Sequence, residues 1–272
     1  MIGTSVVYDI RRGDTLIEVA RRFGFGFTEV LAANPGVDPW LPRPGTRIVL
    51  PAAHLVPDAG LPGILVNLAQ QRIFFQARHD DAITTFPIGI GQTGWETPLG
   101  RTTIVNKRKN PVWTVPNSLR AERPDLPAAL PPGPNNPLGT HALDLEWPGY
   151  VIHGTNRPYG VGRRVSHGCI RLYPEDIVRL YQAVNIGTPV TVVDQSVLVA
   201  WADGALYLEA HPTQRQADEI EAFGMVVEAS GDDDLVYRVK KAAAGRVSEV
   251  DWSLVTRTVG QRRGVPVRII GP

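Results

Sequence analysis

The stretch from His153 to Cys169 carries the residue types of a cysteine nucleophile and its base. Cys169 is the single cysteine among 272 residues, and it follows a glycine in a turn-rich segment. A free thiol has a pKa of about 8.5 and is mostly protonated at neutral pH, so a nucleophilic cysteine needs a base beside it. An imidazole can take that proton and leave an ion pair. We therefore predict Cys169 as the nucleophile and His153 as its base.

The residues around Cys169 predict which side chains share its surroundings. If the chain is extended from His167 to Leu172, then His167, Cys169 and Arg171 point to one face. Ile170 and Leu172 point to the other face, into a core. Reactive and polar groups then line one side of the strand, as the wall of a cleft requires.

The strand that ends at His153 follows the same rule. Within Tyr150-Val151-Ile152-His153, alternation places Ile152 in the core and His153 toward the cleft. Two strands that each present one reactive side chain could bring imidazole and sulfur together. We expect such a pair of strands.

Other groups near Cys169 suit substrate binding. His167 is expected to shape the electrostatics or to line the substrate site. Gly168 permits a tight turn, and the amides of Gly168 and Cys169 could hold an oxyanion. Arg171 keeps its charge, and its forked guanidinium is suited to binding a substrate carboxylate. The alternative role for Arg171 is a structural salt bridge.

Three other interpretations of the thiol are open. A lone cysteine can be a small buried apolar side chain. Four candidate zinc ligands exist, namely His141, His153, His167 and Cys169, but their spacing fits no common zinc pattern. In papain-like enzymes the cysteine precedes the histidine in the chain, whereas here the candidate base comes first.

Composition excludes several classes of protein. The chain has 28 basic and 27 acidic side chains and a net charge of +1. Strong sequence-independent binding to nucleic acid is therefore not expected. A hydrophobic fraction of 43% suffices for packed cores. The chain has no run of about 18 apolar residues, so no membrane span is predicted. One cysteine excludes an intramolecular disulfide and zinc sites with several cysteines.

The elements that must position the site follow an N-terminal unit, residues 5–51. Val6 to Ile10 reads as a strand. Thr15 and Glu18 fit a capping box, and the spacing of Leu16, Val19, Ala20 and Phe23 predicts a helix that ends at Gly24. A second helix from about Thr28 to Asn34 and a strand over 47–50 complete a βααβ unit.

This N-terminal unit resembles the LysM module. The resemblance rests on Tyr8, Gly13-Asp14-Thr15-Leu16, Phe23-Gly24, Leu31, Ala33-Asn34-Pro35, Pro44-Gly45-Thr46, Ile48 and Leu50. It implies binding to N-acetylglucosamine-containing glycans such as peptidoglycan. The alternative is a unit that merely packs against the rest as a spacer or lid.

A second unit, residues 63–195, follows a linker over Pro51–Pro62 and reads mostly as strands. Short strands over 63–68, 73–75, 83–90 and 102–105 predict a β-sandwich or barrel-like domain. A helix begins at Pro174 and ends before Gly187. The proline-rich stretch between Lys107 and Thr140 is predicted to be a long loop, in which Trp113 more often pins the loop than contacts substrate.

The last unit, residues 196–272, is predicted to be a small α+β domain. Strands are expected at 206–209 and 265–270, and helices at 212–223, 235–244 and 252–259. Asp232, Asp233 and Asp234 before the second of these helices suit the helix dipole. The whole chain is thus predicted to be mainly β with α.

Residues 63–195 resemble the L,D-transpeptidase catalytic domain, or YkuD domain. The motifs are His153-Gly154-Thr155 and Ser166-His167-Gly168-Cys169-Ile170-Arg171-Leu172, supported by 86–91, Thr97-Pro98-Leu99-Gly100, Pro137-Leu138-Gly139 and 187–190. With a LysM module in front, the chain resembles the periplasmic subgroup of Gram-negative bacteria.

The resemblance implies a two-step acyl transfer without metal or organic cofactor. Cys169 attacks the bond between diaminopimelate and the terminal D-alanine of a tetrapeptide stem, D-alanine leaves, and a thioester forms. An amine of a second stem or of a lipoprotein lysine then resolves it. His153, oriented by a backbone carbonyl or a nearby side chain, moves the protons. Gly154, Ser166, His167, Gly168 and Arg171 are the motif positions implied to hold the substrate or the oxyanion.

The resemblance also implies acylation by carbapenems and a periplasmic location. The start, Met1-Ile2-Gly3-Thr4, lacks the pattern of a signal peptide, so a periplasmic protein would be the mature form after signal removal. Two other functions are weighed: an L,D-carboxypeptidase that uses water as the acceptor, and a non-catalytic wall anchor that binds through LysM.

Overall fold

The computed structural model describes residues 1–226 and 234–271. Its N-terminal unit contains β1 (Val6–Asp9), α1 (Leu16–Phe23), α2 (Phe27–Ala33) and β2 (Arg47–Leu50), with the two strands antiparallel. The Thr15 hydroxyl accepts the Glu18 amide at 3.3 Å, and Gly24 ends α1 in the left-handed region at φ 76°. The predicted βααβ order is confirmed. Phe23 differs from the prediction, because it is 43% exposed and packs beside the Tyr8 ring at the edge of the unit.

The central unit is built on an eight-stranded sheet. Its strands run in the order β13-β11-β10-β7-β14-β3-β4-β5. The elements of this unit are β3 (Gly63–Asn67), β4 (Arg72–Gln76), β5 (Ile83–Pro87), β6 (Ile90–Gly91), β7 (Gly100–Lys109), β8 (Trp113–Thr114), α3 (Asn117–Glu122), β9 (Ala129–Leu130), β10 (His141–Leu145), β11 (Val151–His153), β12 (Arg164–Ser166), β13 (Ile170–Arg171), α4 (Pro174–Ala183) and β14 (Pro189–Val193).

Helix α4 covers one face of this sheet. Ile177, Leu180 and Val184 are buried there with Ile152 and Ile170 from the strands that carry the candidate site. The apolar face predicted for this helix is therefore the one that packs. Burial of these side chains fixes the positions of β11 and β13.

The proline-rich stretch is more structured than predicted. Strands β8 and β9 pair antiparallel, with Trp113 opposite Leu130, and α3 lies between them. The buried Asn136 amide donates to the carbonyl of Pro111 at 2.8 Å and holds the end of the stretch. The prolines fall between these short elements, where their missing N–H groups cost nothing.

The segment Pro51–Pro62 connects two units but is not an exposed tether. Ala53, His54 and Leu55 are buried, and Ile2 pairs with His54 in an isolated bridge. The linker stays a prediction from the prolines and glycine of this segment, and its buried residues pack against parts of the chain that are distant in sequence.

The C-terminal unit contains a three-stranded sheet in the order β15-β16-β17. Its elements are β15 (Val197–Ala202), β16 (Ala205–Ala210), α5 (Gln214–Phe223), α6 (Leu235–Ala243), α7 (Trp252–Gln261) and β17 (Val267–Ile270). Strand β15 is not predicted from the sequence. Asp232 and Asp233 of the predicted dipole pattern lie outside the described residues.

The helix α5 packs away from its own sheet. Ile220 of α5 belongs to the hydrophobic core of the N-terminal unit, beside side chains such as Phe27 and Leu31. The predicted fold class, mainly β with α, is confirmed. Among the residues described, no helix has both the length and the apolar character needed to cross a bilayer.

Candidate active site

Two neighbouring parallel strands bring His153 and Cys169 to the wall of one cavity. His153 is the last residue of β11, and Cys169 comes directly before β13. The strands pair in parallel with Ile152 opposite Ile170 and His153 opposite Arg171. Ile152 and Ile170 are 0% and 1% exposed, so the core anchors both strands. His153 and Cys169 line one cavity of about 300 Å³.

The cavity is lined by a polar and an apolar group of residues. The polar side is formed by His153, Ser166, His167, Cys169 and Arg171. The rest of the wall comes from Trp95, Trp113, Pro116, Leu119, Pro137, Leu138, Pro148, Gly149 and Tyr150. The hairpin β8–β9 and helix α3 therefore contribute one side of the cavity. A concave site of this kind, with convergent polar groups and titratable residues, is typical of an enzyme active site.

The ring of His153 is fixed by its own neighbour. Its Nδ1 lies 2.6 Å from the carbonyl oxygen of Gly154. A carbonyl oxygen only accepts, so Nδ1 carries the proton and Nε2 keeps its lone pair. Gly154 must be small there, because a Cβ would approach Ile177 to 2.9 Å. The family resemblance implies that a backbone carbonyl or a nearby side chain orients this histidine, and the Gly154 carbonyl fits that role.

The surroundings of His153 keep it neutral. Its side chain is 3% exposed, and burial together with the charge of Arg171 lowers the pKa of His153 to about 3. A neutral imidazole with a free Nε2 is the form that can accept a proton.

Cys169 is also held in its neutral form. Its Sγ lies 3.6 Å from the carbonyl oxygen of Gly149. Burial raises the pKa of the Cys169 thiol, and a backbone hydrogen bond from Val151 and the charge of Arg171 oppose that rise without cancelling it. Both pKa shifts favour the uncharged form of each side chain, and the ion pair of Cys169 and His153 stays a prediction.

The turn before Cys169 depends on Gly168. Its φ is 92°, and a Cβ there would approach Cε1 of Tyr150 to 2.8 Å. The chain is consequently not extended from His167 to Leu172, which corrects the predicted alternation. His167, Cys169 and Arg171 still line one cavity, because the turn rotates the chain at Gly168.

Two hydroxyl groups hold this turn. The Ser166 hydroxyl donates to the carbonyl oxygen of Cys169 at 2.5 Å. The Thr97 hydroxyl donates to the carbonyl oxygen of Gly168 at 2.9 Å and accepts the amide of Gly91 at 3.1 Å. Chemical reasoning from the sequence missed Thr97, although the residue lies in a motif of the family resemblance.

Arg171 lies in the cavity wall. Within residues 1–226 and 234–271, its buried Nε has no hydrogen-bond partner. Burial lowers the pKa of Arg171, although a guanidinium keeps its charge in proteins. This arrangement favours a carboxylate ligand over a structural salt bridge.

Two further aromatic contacts shape the site. His167 is exposed at the rim, where its ring meets Trp95 edge-on at a centroid distance of 4.8 Å. Trp113 lies in the cavity wall, so its side chain can contact a substrate as well as pin the hairpin.

The histidine His141 does not line this cavity in the part of the chain that is described. Its ring packs on Tyr181 at 4.6 Å, and its Nδ1 lies 2.9 Å from the Thr140 hydroxyl. The four candidate zinc ligands named from the sequence therefore do not share one cavity.

Comparison with known proteins gives two family matches. The L,D-transpeptidase catalytic domain, YkuD, matches residues 62–192, and the LysM domain matches residues 8–51. The segment that carries the candidate site lies inside the first match.

Relatives match over most of the chain. The probable L,D-transpeptidase YcfS of Escherichia coli K12 is 41% identical over 217 residues, which cover 76% of this chain and 68% of that protein. The probable L,D-transpeptidase YbiS of the same strain is 35% identical over 281 residues, covering 99% of this chain and 88% of that protein. The NMR structure of the catalytic domain of an Enterococcus faecium L,D-transpeptidase is 25% identical and covers 50% of this chain and 99% of that chain, with a TM-score of 0.38.

Both resemblances noted in the sequence are thereby confirmed, and the relatives in E. coli agree with the Gram-negative subgroup. This chain belongs to the L,D-transpeptidase family, as an enzyme that combines a LysM domain with a YkuD catalytic domain.

Proposed function

We propose that this enzyme is a cysteine-dependent L,D-transpeptidase of peptidoglycan, with Cys169 as the nucleophile and His153 as its general base. The supporting observation is that both side chains line one cavity while the Gly154 carbonyl holds the His153 ring with Nε2 unprotonated. Acyl transfer by a thiol requires this combination of nucleophile and oriented base.

In the first step, Sγ of Cys169 bonds to the carbonyl carbon of the diaminopimelate–D-alanine peptide. Its proton moves to Nε2 of His153 as the bond forms, since the resting pair is neutral. The amides of Gly168 and Cys169 are proposed to hold the oxyanion. The carbon–nitrogen bond then breaks, the D-alanine nitrogen takes the proton from His153, and a thioester remains.

In the second step, an acceptor amine attacks the thioester and transfers its proton to His153. The carbon–sulfur bond breaks, and the thiol regains that proton. The Arg171 guanidinium is proposed to bind a stem carboxylate, and His167, Ser166 and Gly154 are proposed to shape the substrate site. Every proton released is taken up within the cycle, so these residues need no metal or organic cofactor.

The acceptor and the location belong to the same proposal. The amine is that of a second stem, which gives a direct crosslink, or that of a lipoprotein lysine. The LysM domain is proposed to bind the glycan, and the enzyme to act in the periplasm. Because a thiol that attacks a peptide carbonyl also attacks a strained lactam, we expect carbapenems to acylate Cys169.

Incubation with tetrapeptide muropeptides tests this function through its products. Mass spectrometry should show released D-alanine and crosslinked dimers, or an adduct to a lysine-bearing lipoprotein peptide when that peptide is added. Cys169→Ala should abolish both products. Tripeptide products alone would favour the carboxypeptidase, and full cellular function of Cys169→Ala would favour a wall anchor.

A further inference from the structure

The strand β12 leads directly into the turn of Cys169. It ends at Ser166, whose hydroxyl binds the carbonyl oxygen of Cys169. On its other side β12 pairs with β6: the amide of Ile90 donates to the carbonyl of Arg163, and the amide of Gln92 to that of Ser166, both at 3.0 Å. The Ser166 hydroxyl therefore connects β12 to the turn that carries the sulfur.

Helix α5 of the C-terminal unit holds β12 and the residue before it through two ion pairs. Arg164 pairs with Asp218 and also donates to the carbonyl of Gln214 at 3.1 Å. Arg163 pairs with Glu221, whose Oε1 lies 2.9 Å from the arginine Nε. The Arg164 side chain is 5% exposed, so its position is well defined. The two acids are three residues apart and share one face of α5.

The N-terminal unit holds the same segment from another side. The amide of Thr28 donates to the carbonyl of Gly162 at 3.0 Å, and that of Phe27 to the carbonyl of Val161 at 3.4 Å. Any side chain at Gly162 would overlap the backbone of Gly26 and Phe27. The guanidinium of Arg163 lies over the Phe27 ring at 5.7 Å.

We propose that Asp218 and Glu221 are positioning residues for Cys169, which gives the C-terminal unit a role in the reaction. Helix α5 packs on the N-terminal unit through Ile220, so the two acids form one side of a clamp whose other side is the start of α2. The clamp fixes β12, and Ser166 passes that position to the turn that carries the sulfur. The proposal rests on the proposed function for its effect on rate.

The double variant Asp218→Asn, Glu221→Gln tests the clamp in the full-length protein. We expect the rate of Cys169 acylation by a carbapenem to fall by about tenfold, because small misplacements of reacting groups cost rates of this order. Hydrogen exchange of the peptide covering 164–172 should accelerate. The charge-keeping variant Asp218→Glu, Glu221→Asp should restore most of the acylation rate and most of the protection from exchange.

The control is Glu249→Gln, which breaks the ion pair to Arg246 in the same unit, away from β12. It should leave acylation and exchange unchanged. The proposal is overturned if the double variant acylates at the wild-type rate, or if it loses thermal stability while exchange over 164–172 stays as in the wild type. If the carbapenem does not acylate Cys169 of the wild-type protein, the proposed function fails. The exchange measurement then still decides whether Asp218 and Glu221 hold residues 164–172.

Discussion

At the scale of residues, the protonation state of the pair decides how the thiol reacts. Burial and Arg171 lower the pKa of His153, and burial raises that of Cys169. Both shifts oppose charge separation, so we expect the thiolate to form only as the bond to the substrate forms. The Gly154 carbonyl contributes by keeping Nε2 as the free nitrogen.

Alkylation of Cys169 by iodoacetamide should therefore depend steeply on pH. Because the raised pKa keeps the thiol protonated, the rate should be low at pH 7 and increase about tenfold per pH unit up to at least pH 9. His153→Gln should change this profile little. A rate that is already level between pH 5 and 8, and that His153→Gln abolishes, would show an ion pair at rest.

At the scale of elements, the hairpin β8–β9 and helix α3 build one wall of the cavity. Trp113 and Leu119 come from these elements, and Pro137 and Leu138 from the chain that follows. This wall is mostly apolar, whereas other parts of the lining carry Cys169 and Arg171. The division suits a substrate with an aliphatic part and a charged end.

Truncation of Trp113 should separate its two possible roles. Trp113→Ala should raise KM for the tetrapeptide donor about tenfold, the effect of losing roughly 1.4 kcal/mol of apolar contact. The alkylation rate of Cys169 should change much less. Trp201→Ala, in the C-terminal sheet, is the matched control. If KM is unchanged and the melting temperature drops, Trp113 only pins the hairpin.

The sequence predicts elements well where a local pattern decides them. Capping at Thr15 and Gly24 and the face of α4 are local, and they match the structure. The turn at Gly168 breaks the predicted alternation because its geometry depends on Tyr150 and Thr97, which no periodicity links to it. The packing of α5 on the N-terminal unit likewise depends on partners about 190 residues away.

At the scale of the whole molecule, a buried charge cluster joins the three predicted units. Glu29 of the N-terminal unit binds Arg72 of the central sheet at 2.6 Å. Glu209 of β16 accepts the amide of Leu55 at 2.5 Å and lies 2.6 Å from Nε2 of His211. His54 lies between the two acids, 3.6 Å from Glu29 and 3.7 Å from Glu209. The boundaries 5–51, 63–195 and 196–272 stay predictions, but this cluster favours docked units.

Glu209→Gln should destabilise the protein by about 3–5 kcal/mol. The substitution removes the buried negative charge that His211 and His54 face. Burial by itself raises the pKa of Glu209, yet the charge and the hydrogen bond of His211, together with the nearby His54, outweigh burial and lower that pKa to about 2. A folded pKa below the unfolded value means stability that is present above about pH 4.5 and is lost as pH falls toward 2.

Urea unfolding of wild type and variant between pH 7 and pH 2 measures this difference. The gap between the two proteins should be largest at neutral pH and should narrow below pH 4.5. Glu175→Gln removes an exposed ion pair to Arg21 that also joins two units, and it should cost less than about 1 kcal/mol. Equal effects of the two substitutions would contradict a special role for the buried cluster.

The mass of the protein itself, recorded during incubation with tetrapeptide muropeptides, tests the central claim most directly. The account predicts an adduct of the donor stem without its terminal D-alanine, located on Cys169, absent in Cys169→Ala and formed far more slowly in His153→Gln. An adduct on another residue, or turnover that persists in Cys169→Ala, would contradict the account.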